Sequence, residues 1–197
     1  MNKVTRIFLL MIAMVVTSSC AGDEAVPPAV ADEFLENLAQ HCGKAYPGQL
    51  VSLDEADADF AGQEMVMHVR SCEENAIRVP FHVGDDHSRT WVITRTDEGL
   101  RLKHDHRHED GEEDAVTQYG GDAVLIENAA RVEFPVDSFS IDMFNREGLT
   151  ASVTNIWALE LSDEKFVYEL KRTNRHFRVE FDVTNPVDIP PAPWGSE

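Results

Sequence analysis

Between residues 49 and 183 the apolar side chains fall at every second position, in short runs broken by Gly, Asn, Asp and Ser. Ile77, Val79, Phe81 and Val83 alternate with Arg78, Pro80 and His82. Phe177, Val179, Phe181 and Val183 alternate with Arg178, Glu180 and Asp182. Successive side chains of a strand point to opposite faces, so a period of two marks strands with one face buried. The runs predict strands at 49–53, 64–72, 76–84, 89–96, 100–109, 123–127, 131–134, 155–161, 166–172 and 176–183. Turns at 84–88, 97–99, 162–165 and 173–175 make the connections tight. Pro80 cannot donate to a ladder, which puts its part of the strand at an edge or a bulge. Residues 110–119 form a polar excursion, 120–122 a turn, and 137–145 a helical turn with Phe139, Met143 and Phe144 on its apolar face.

Short antiparallel strands joined by tight turns fold as a mainly β domain. The expected form is a single up-and-down barrel of about 8–10 strands. A β-sandwich or a cupin-like roll is the alternative. A short helix precedes them over 30–41, where Val30, Phe34, Leu35 and Leu38 recur at helical spacing. Pro27-Pro28 opens it and Gly43 follows its end. A leading helix followed by a meander resembles the lipocalin-like (calycin) plan, which implies that the helix plugs one end of the barrel. The likeness rests on strand count and order, since Gly48-Gln49-Leu50 lacks the Gly-x-Trp of lipocalins. The domain is expected over 30–185, followed by a flexible Pro-rich tail at 186–197.

The first residues are a leader. Lys3 and Arg6 precede an apolar run from Ile7 to Val16, then Thr17-Ser18-Ser19-Cys20. This is the layout of a bacterial secretory signal over 1–19, with an apolar core too short to span a bilayer comfortably. Val16-Thr17-Ser18-Ser19-Cys20 resembles a lipobox, with Thr17 where Leu is usual. The resemblance implies a lipidated (palmitate-bearing) Cys20 as the first mature residue and a tether at 20–29. The expected location is the bacterial cell envelope, lipid-anchored in the outer membrane and facing the periplasm or the cell surface. The other reading is a secreted protein in which Cys20 is incidental. With Cys20 set aside, Cys42 and Cys72 remain. In an oxidising compartment an even pair is most simply a disulfide, with two buried thiols as the alternative. The formal net charge of −19 disfavours nucleic acid and anionic lipid as partners. The domain is expected to be monomeric.

The most chemically loaded stretch runs Leu100-Arg101-Leu102-Lys103-His104-Asp105-His106-Arg107-His108-Glu109. Period two splits it: Leu100, Leu102, His104, His106 and His108 share a face, while Arg101, Lys103, Asp105, Arg107 and Glu109 share the other. The histidines then run from the core towards a barrel mouth, their Cβ atoms roughly 7 Å apart. Neutral imidazole binds transition metals, and two such histidines plus one from a neighbouring strand make an open site. His82 or His68 would supply the third; the plainer reading of those two is a pair of surface histidines. Arg89 and Trp91 open the adjoining strand, and Arg70 and Arg95 are further cations able to bind a carboxylate. The cupin pattern fits poorly: the spacings from Gly99 to His106 and from Glu112 to Gly120 each miss by one. Tyr119-Gly120-Gly121-Asp122 is expected to be a flexible pocket lip. There is no Gly-x-Ser-x-Gly, phosphate loop or helical zinc-protease motif.

Five blocks resemble a family of uncharacterised bacterial exported proteins and lipoproteins: 42–46, 66–72, 80–84, 88–92 and 103–111, the last reading Lys-His-Asp-His-Arg-His-Glu-Asp-Gly. The resemblance implies that Cys42 and Cys72 belong to the domain and that the histidine strand is a family feature. It brings no activity with it. Three functions follow in order. The first is binding of a small ligand in a barrel pocket lined by His104, His106 and His108, with Arg89 and Trp91 nearby. The second is binding of zinc, another transition metal or haem by His104, His106, His108 and His82. The third is a metal-dependent enzyme.

Overall fold

The structure, a computed structural model, describes residues 28–128 and 130–196. The expected leader, the expected lipidation position Cys20 and most of the expected tether lie outside the described residues. Helix α1 (Pro28–Ala39) is followed by strands β1 (Ala45–Leu50), β2 (Met65–His68), β3 (Ser71–Glu73), β4 (Ala76–Val83), β5 (Asp86–Thr96), β6 (Gly99–His106), β7 (Tyr119–Asp122), β8 (Val124–Asn128) and β9 (Arg131–Pro135). Helix α2 (Ser138–Arg146) and strands β10 (Ile156–Leu161), β11 (Lys165–Arg172) and β12 (Arg175–Asp182) complete it. The strands form one antiparallel meander in the order β7-β6-β5-β4-β2-β1-β12-β11-β10-β9-β8, with β3 beside β4. The sheet is a nearly closed ten-stranded barrel, as the sequence pattern predicts.

Closure comes from one continuous stretch. β7 pairs with β6, and after Ala123 the chain runs on as β8, which pairs with β9. The residues expected to form a flexible lip therefore constitute a closing strand. Pro135 has no N–H to offer at this junction. The Asp137 N–H donates to the Gly120 carbonyl at 2.9 Å, and the Gly120 N–H donates to Ser140 Oγ at 2.9 Å. Ser140 is fully buried and donates in turn to Asp137 Oδ1 at 2.7 Å. The glycines are required by space. A Cβ on Gly121 would lie 1.7 Å from the Pro135 carbonyl oxygen, and one on Gly120 1.9 Å from that of Leu102.

The inward faces are those the alternation assigns: Ile77, Val79, Phe81, Ile93, Leu100, Leu102, Val179 and Phe181 are all buried. The stripe of α1, shifted by one position from Val30 to Ala31 and including Phe34 and Leu38, is fully buried in the same core. α1 lies across one barrel end, where Asp32 pairs with Arg95 at 2.6 Å and Arg95 Nη1 donates to the Gly99 carbonyl at 3.0 Å. Just beyond the helix, Cys42 is disulfide-bonded to Cys72 on β3, tying the plug to the wall.

Two local departures have backbone causes. The strand expected over 64–72 is two strands, β2 and β3, because Pro80 of β4 presents no donor between them. Val69 turns away, its N–H donating to the Lys44 carbonyl at 3.0 Å. The first strand begins at Ala45, four residues before its expected start, and the following acidic stretch folds into a 3₁₀ turn, Glu55–Asp57, capped by Asp54.

The segment expected to be a flexible tail is laid along the outer wall as far as it is described. The Val187 N–H donates to the Ala45 carbonyl at 2.9 Å and the Trp194 N–H to the His87 carbonyl at 3.1 Å. Arg70 Nη2 donates to the Ser196 carbonyl at 2.8 Å. Its prolines suit a strap that follows a surface without joining a ladder.

Candidate functional site

The end of the barrel opposite α1 holds a cavity of about 150 Å³. β5 and β6 build one wall in register: Arg89 faces His106, Trp91 faces His104 and Ile93 faces Leu102. The two-residue period thus carries the chain from an aliphatic core to a polar mouth along adjacent strands. Tyr168 and Leu170 come from β11 and Phe177 from β12. Phe60 reaches over the mouth from the loop after β1, its ring edge-to-face with Phe177 at 5.1 Å and under the Arg89 guanidinium at 5.5 Å.

The floor is aromatic. Trp91 stacks on Tyr168 at 4.5 Å and on Phe81 at 5.0 Å between ring centres. His104 stacks on Tyr119 at 4.4 Å. Such offset ring packing adds to the burial of large apolar surfaces.

The hydrogen bonds of His104 assign its tautomer. Nδ1–H donates to the Tyr119 carbonyl at 3.0 Å, which can only accept, so the bare Nε2 accepts from the Tyr168 hydroxyl at 2.8 Å. Only 2% of His104 is exposed. Burial first, then the neighbouring His106, pushes its pKa down to about 3. Burial and then Arg89 push His106 down to about 4, against Asp114 and Asp86. Both rings are neutral at physiological pH. The Tyr119 hydroxyl and His106 Nε2 are hydrogen-bonded at 3.0 Å, and burial raises the phenol pKa values of Tyr119 and Tyr168.

Two arginines line the mouth. Arg175 uses both terminal nitrogens: Nη1 donates to Asp54 at 3.1 Å and to Asp57 at 3.0 Å, and Nη2 also bonds Asp57. Arg89 Nη1 donates to Asp86 Oδ2 at 2.7 Å. Its Nε and Nη2 have no protein partner among the described residues.

The four histidines proposed as metal ligands are not gathered. His104 and His106 lie in the cavity. His108 falls beyond the end of β6 in an exposed turn, where its Nε2 is 3.7 Å from Asp114. The strand ends because the His108 N–H bonds back to Glu112. His82 sits on the opposite face of β4 from Phe81, outside the barrel. It packs edge-on to His87 at 4.5 Å under the C-terminal strap, with both ring nitrogens unpartnered. His68 is nearby and also buried, so neither is a surface residue. Burial, then His87, His68 and Arg70, hold His82 down to about 4 against Asp86. Arg70 holds the strap and Arg95 the plug, both remote from the cavity. Among the described residues no group of three or more His, Cys, Asp or Glu is placed to hold a metal ion.

Sequence reasoning missed Phe60, Tyr168, Arg175 and Phe177. Tyr168 has a usable signal, as a polar tip on the buried alternation of β11. Arg175 has none, because its partners Asp54 and Asp57 lie more than a hundred residues away. No family model, no curated protein and no solved structure matches the chain.

Proposed function

We propose that the protein binds a small organic molecule in the cavity at the open end of its barrel. The observation that carries this reading is the join of an aromatic floor, Trp91, Phe81 and Tyr168, to a ring of convergent polar groups, Arg89, His104 and His106. Binding sites combine apolar walls with a few placed polar atoms in this way. The volume supports a compact ligand, since a cavity of about 150 Å³ accepts a molecule the size of benzene. The leader and Cys20 support a place for this activity in the bacterial cell envelope. The metal reading is less well supported, because both nitrogens of His104 are already bonded and His82 and His108 lie elsewhere.

Ligand-observed NMR with a panel of single-ring fragments tests the reading. Several should bind the full-length protein, and Leu170→Trp, which fills the cavity from β11, should abolish binding while preserving the melting temperature. A silent panel, or binding that survives Leu170→Trp, would rule the site out.

A further inference from the structure

The charge lining the mouth runs against that of the chain. The protein carries a formal net charge of −19, yet none of the described residues lining the cavity bears a carboxylate. Its charged members are Arg89 and Arg175. Asp86 behind Arg89 and Asp54 and Asp57 behind Arg175 offset that charge, so what the lining turns towards a ligand is a set of donors with no carboxylate among them.

The two arginines differ in what they have left to offer. Arg175 spends its terminal nitrogens on Asp54 and Asp57, which fixes it as a wall. Arg89 spends one nitrogen on Asp86 and keeps Nε and Nη2, an adjacent pair of donors with the spacing of a carboxylate. Its guanidinium rests on the Phe60 ring, which orients the plane without using a donor. Opposite Arg89 in the ladder is His106. The Tyr119 hydroxyl and the neutral His106 ring bring two protons to the one hydrogen bond between them, so in either sense one donor is left over, Nδ1–H of His106 or the Tyr119 hydroxyl, with no further protein partner among the described residues. Below these donors the space is bounded by flat rings.

Resting on the reading of this cavity as a ligand site, we infer that its ligand is a small aromatic or similarly flat monocarboxylate. The carboxylate sits against Arg89 and the His106–Tyr119 pair, and the ring occupies the aromatic remainder of the cavity, edged by Phe60 and Phe177.

Calorimetric titration of the full-length protein with four probes tests the class: benzoate, benzyl alcohol, benzylammonium and acetate. Benzoate should bind at least about tenfold more tightly than the other three, and Arg89→Gln should remove that advantage while preserving the fold. Benzyl alcohol or benzylammonium binding as tightly as benzoate overturns the anionic class and leaves the cavity as a ligand site. Acetate matching benzoate overturns the aromatic part. Benzoate bound equally by Arg89→Gln overturns the placement of the carboxylate. Failure of all four probes, when the fragment panel binds and is displaced by Leu170→Trp, overturns this inference alone; failure of the panel too overturns both.

Discussion

The Tyr168 hydroxyl donates to Nε2 of His104 across the barrel interior at 2.8 Å, joining β11 to β6 through the floor of the cavity. Removing the hydroxyl leaves a buried bare nitrogen without its donor. Tyr168→Phe is expected to destabilise the fold by about 1–3 kcal/mol, the cost of one orphaned buried polar group. Chemical denaturation measures it, and a loss within experimental error of zero would show that the bond contributes nothing net.

Acid should weaken the protein well before its carboxylates titrate. His104, His106 and His82 have folded pKa values near 3, 4 and 4, below the ordinary 6.5. The unfolded chain therefore binds more protons between about pH 6.5 and pH 4, and stability falls as pH drops through that window. It is fully present above pH 6.5. Each such histidine contributes a slope of about 1.4 kcal/mol per pH unit. Denaturation midpoints at pH 7, 6 and 5 give the slope. His82→Phe should flatten it by about one histidine's share, and an unchanged slope in that variant would contradict the burial of His82 beneath the strap.

The Cys42–Cys72 bond closes a loop with a sequence separation of 30. Reduction is expected to cost roughly 3–4 kcal/mol by restoring freedom to the unfolded chain. Because Cys42 directly follows α1, the loss should be seen first as release of the helical plug. Protease nicking near residues 40–44 under reducing conditions, with the barrel strands still intact, is the expected pattern.

Gly121→Ala should be among the most damaging single-methyl changes in the chain. The new Cβ would meet the backbone carbonyl of Pro135, which cannot rotate away. Opening the barrel there is expected to cost more than about 2 kcal/mol. Gly148→Ala is the control: with a φ of +76° and no atom within 4 Å of its Cβ position, it carries only local backbone strain. Equal melting temperatures for the two variants would refute the close approach.

Membrane attachment tests the leader. Cys20→Ser is expected to release the protein into the soluble fraction of the envelope, as loss of a lipid anchor requires. Continued sedimentation with membranes in that variant would argue against lipidation at this residue.

The fold was legible because its strongest signals are local. The alternation in β4 and β12 assigns inside and outside without reference to any other strand, and the stripe of α1 does the same for a helix. The pairing of Arg89 and Trp91 with the histidine strand followed from a three-residue turn that leaves little freedom of register. What was not legible depended on distance or on a neighbour's backbone. His108 continues the period of two, yet the chain turns before reaching it. His82 has the spacing of an exposed residue, and its burial comes from His87 and the strap. Gly120-Gly121 carries the composition of a turn, but its real constraint is the carbonyl of Pro135, which no local pattern records.

The closing strand has one more consequence. Around most of the barrel every neighbour is held by a run of ladder bonds, whereas at Gly120 the circle is completed by Asp137 and Ser140. Hydrogen exchange reports such differences, since amides in the least tethered unit exchange through small local openings and not through global unfolding. The Gly120 and Asp137 amides should therefore exchange ahead of those in β5, β6 and β11. Because Tyr119 precedes Gly120 and holds His106, each such opening also loosens one wall of the cavity, so the place where the barrel breathes and the place where a ligand would enter share a single peptide unit.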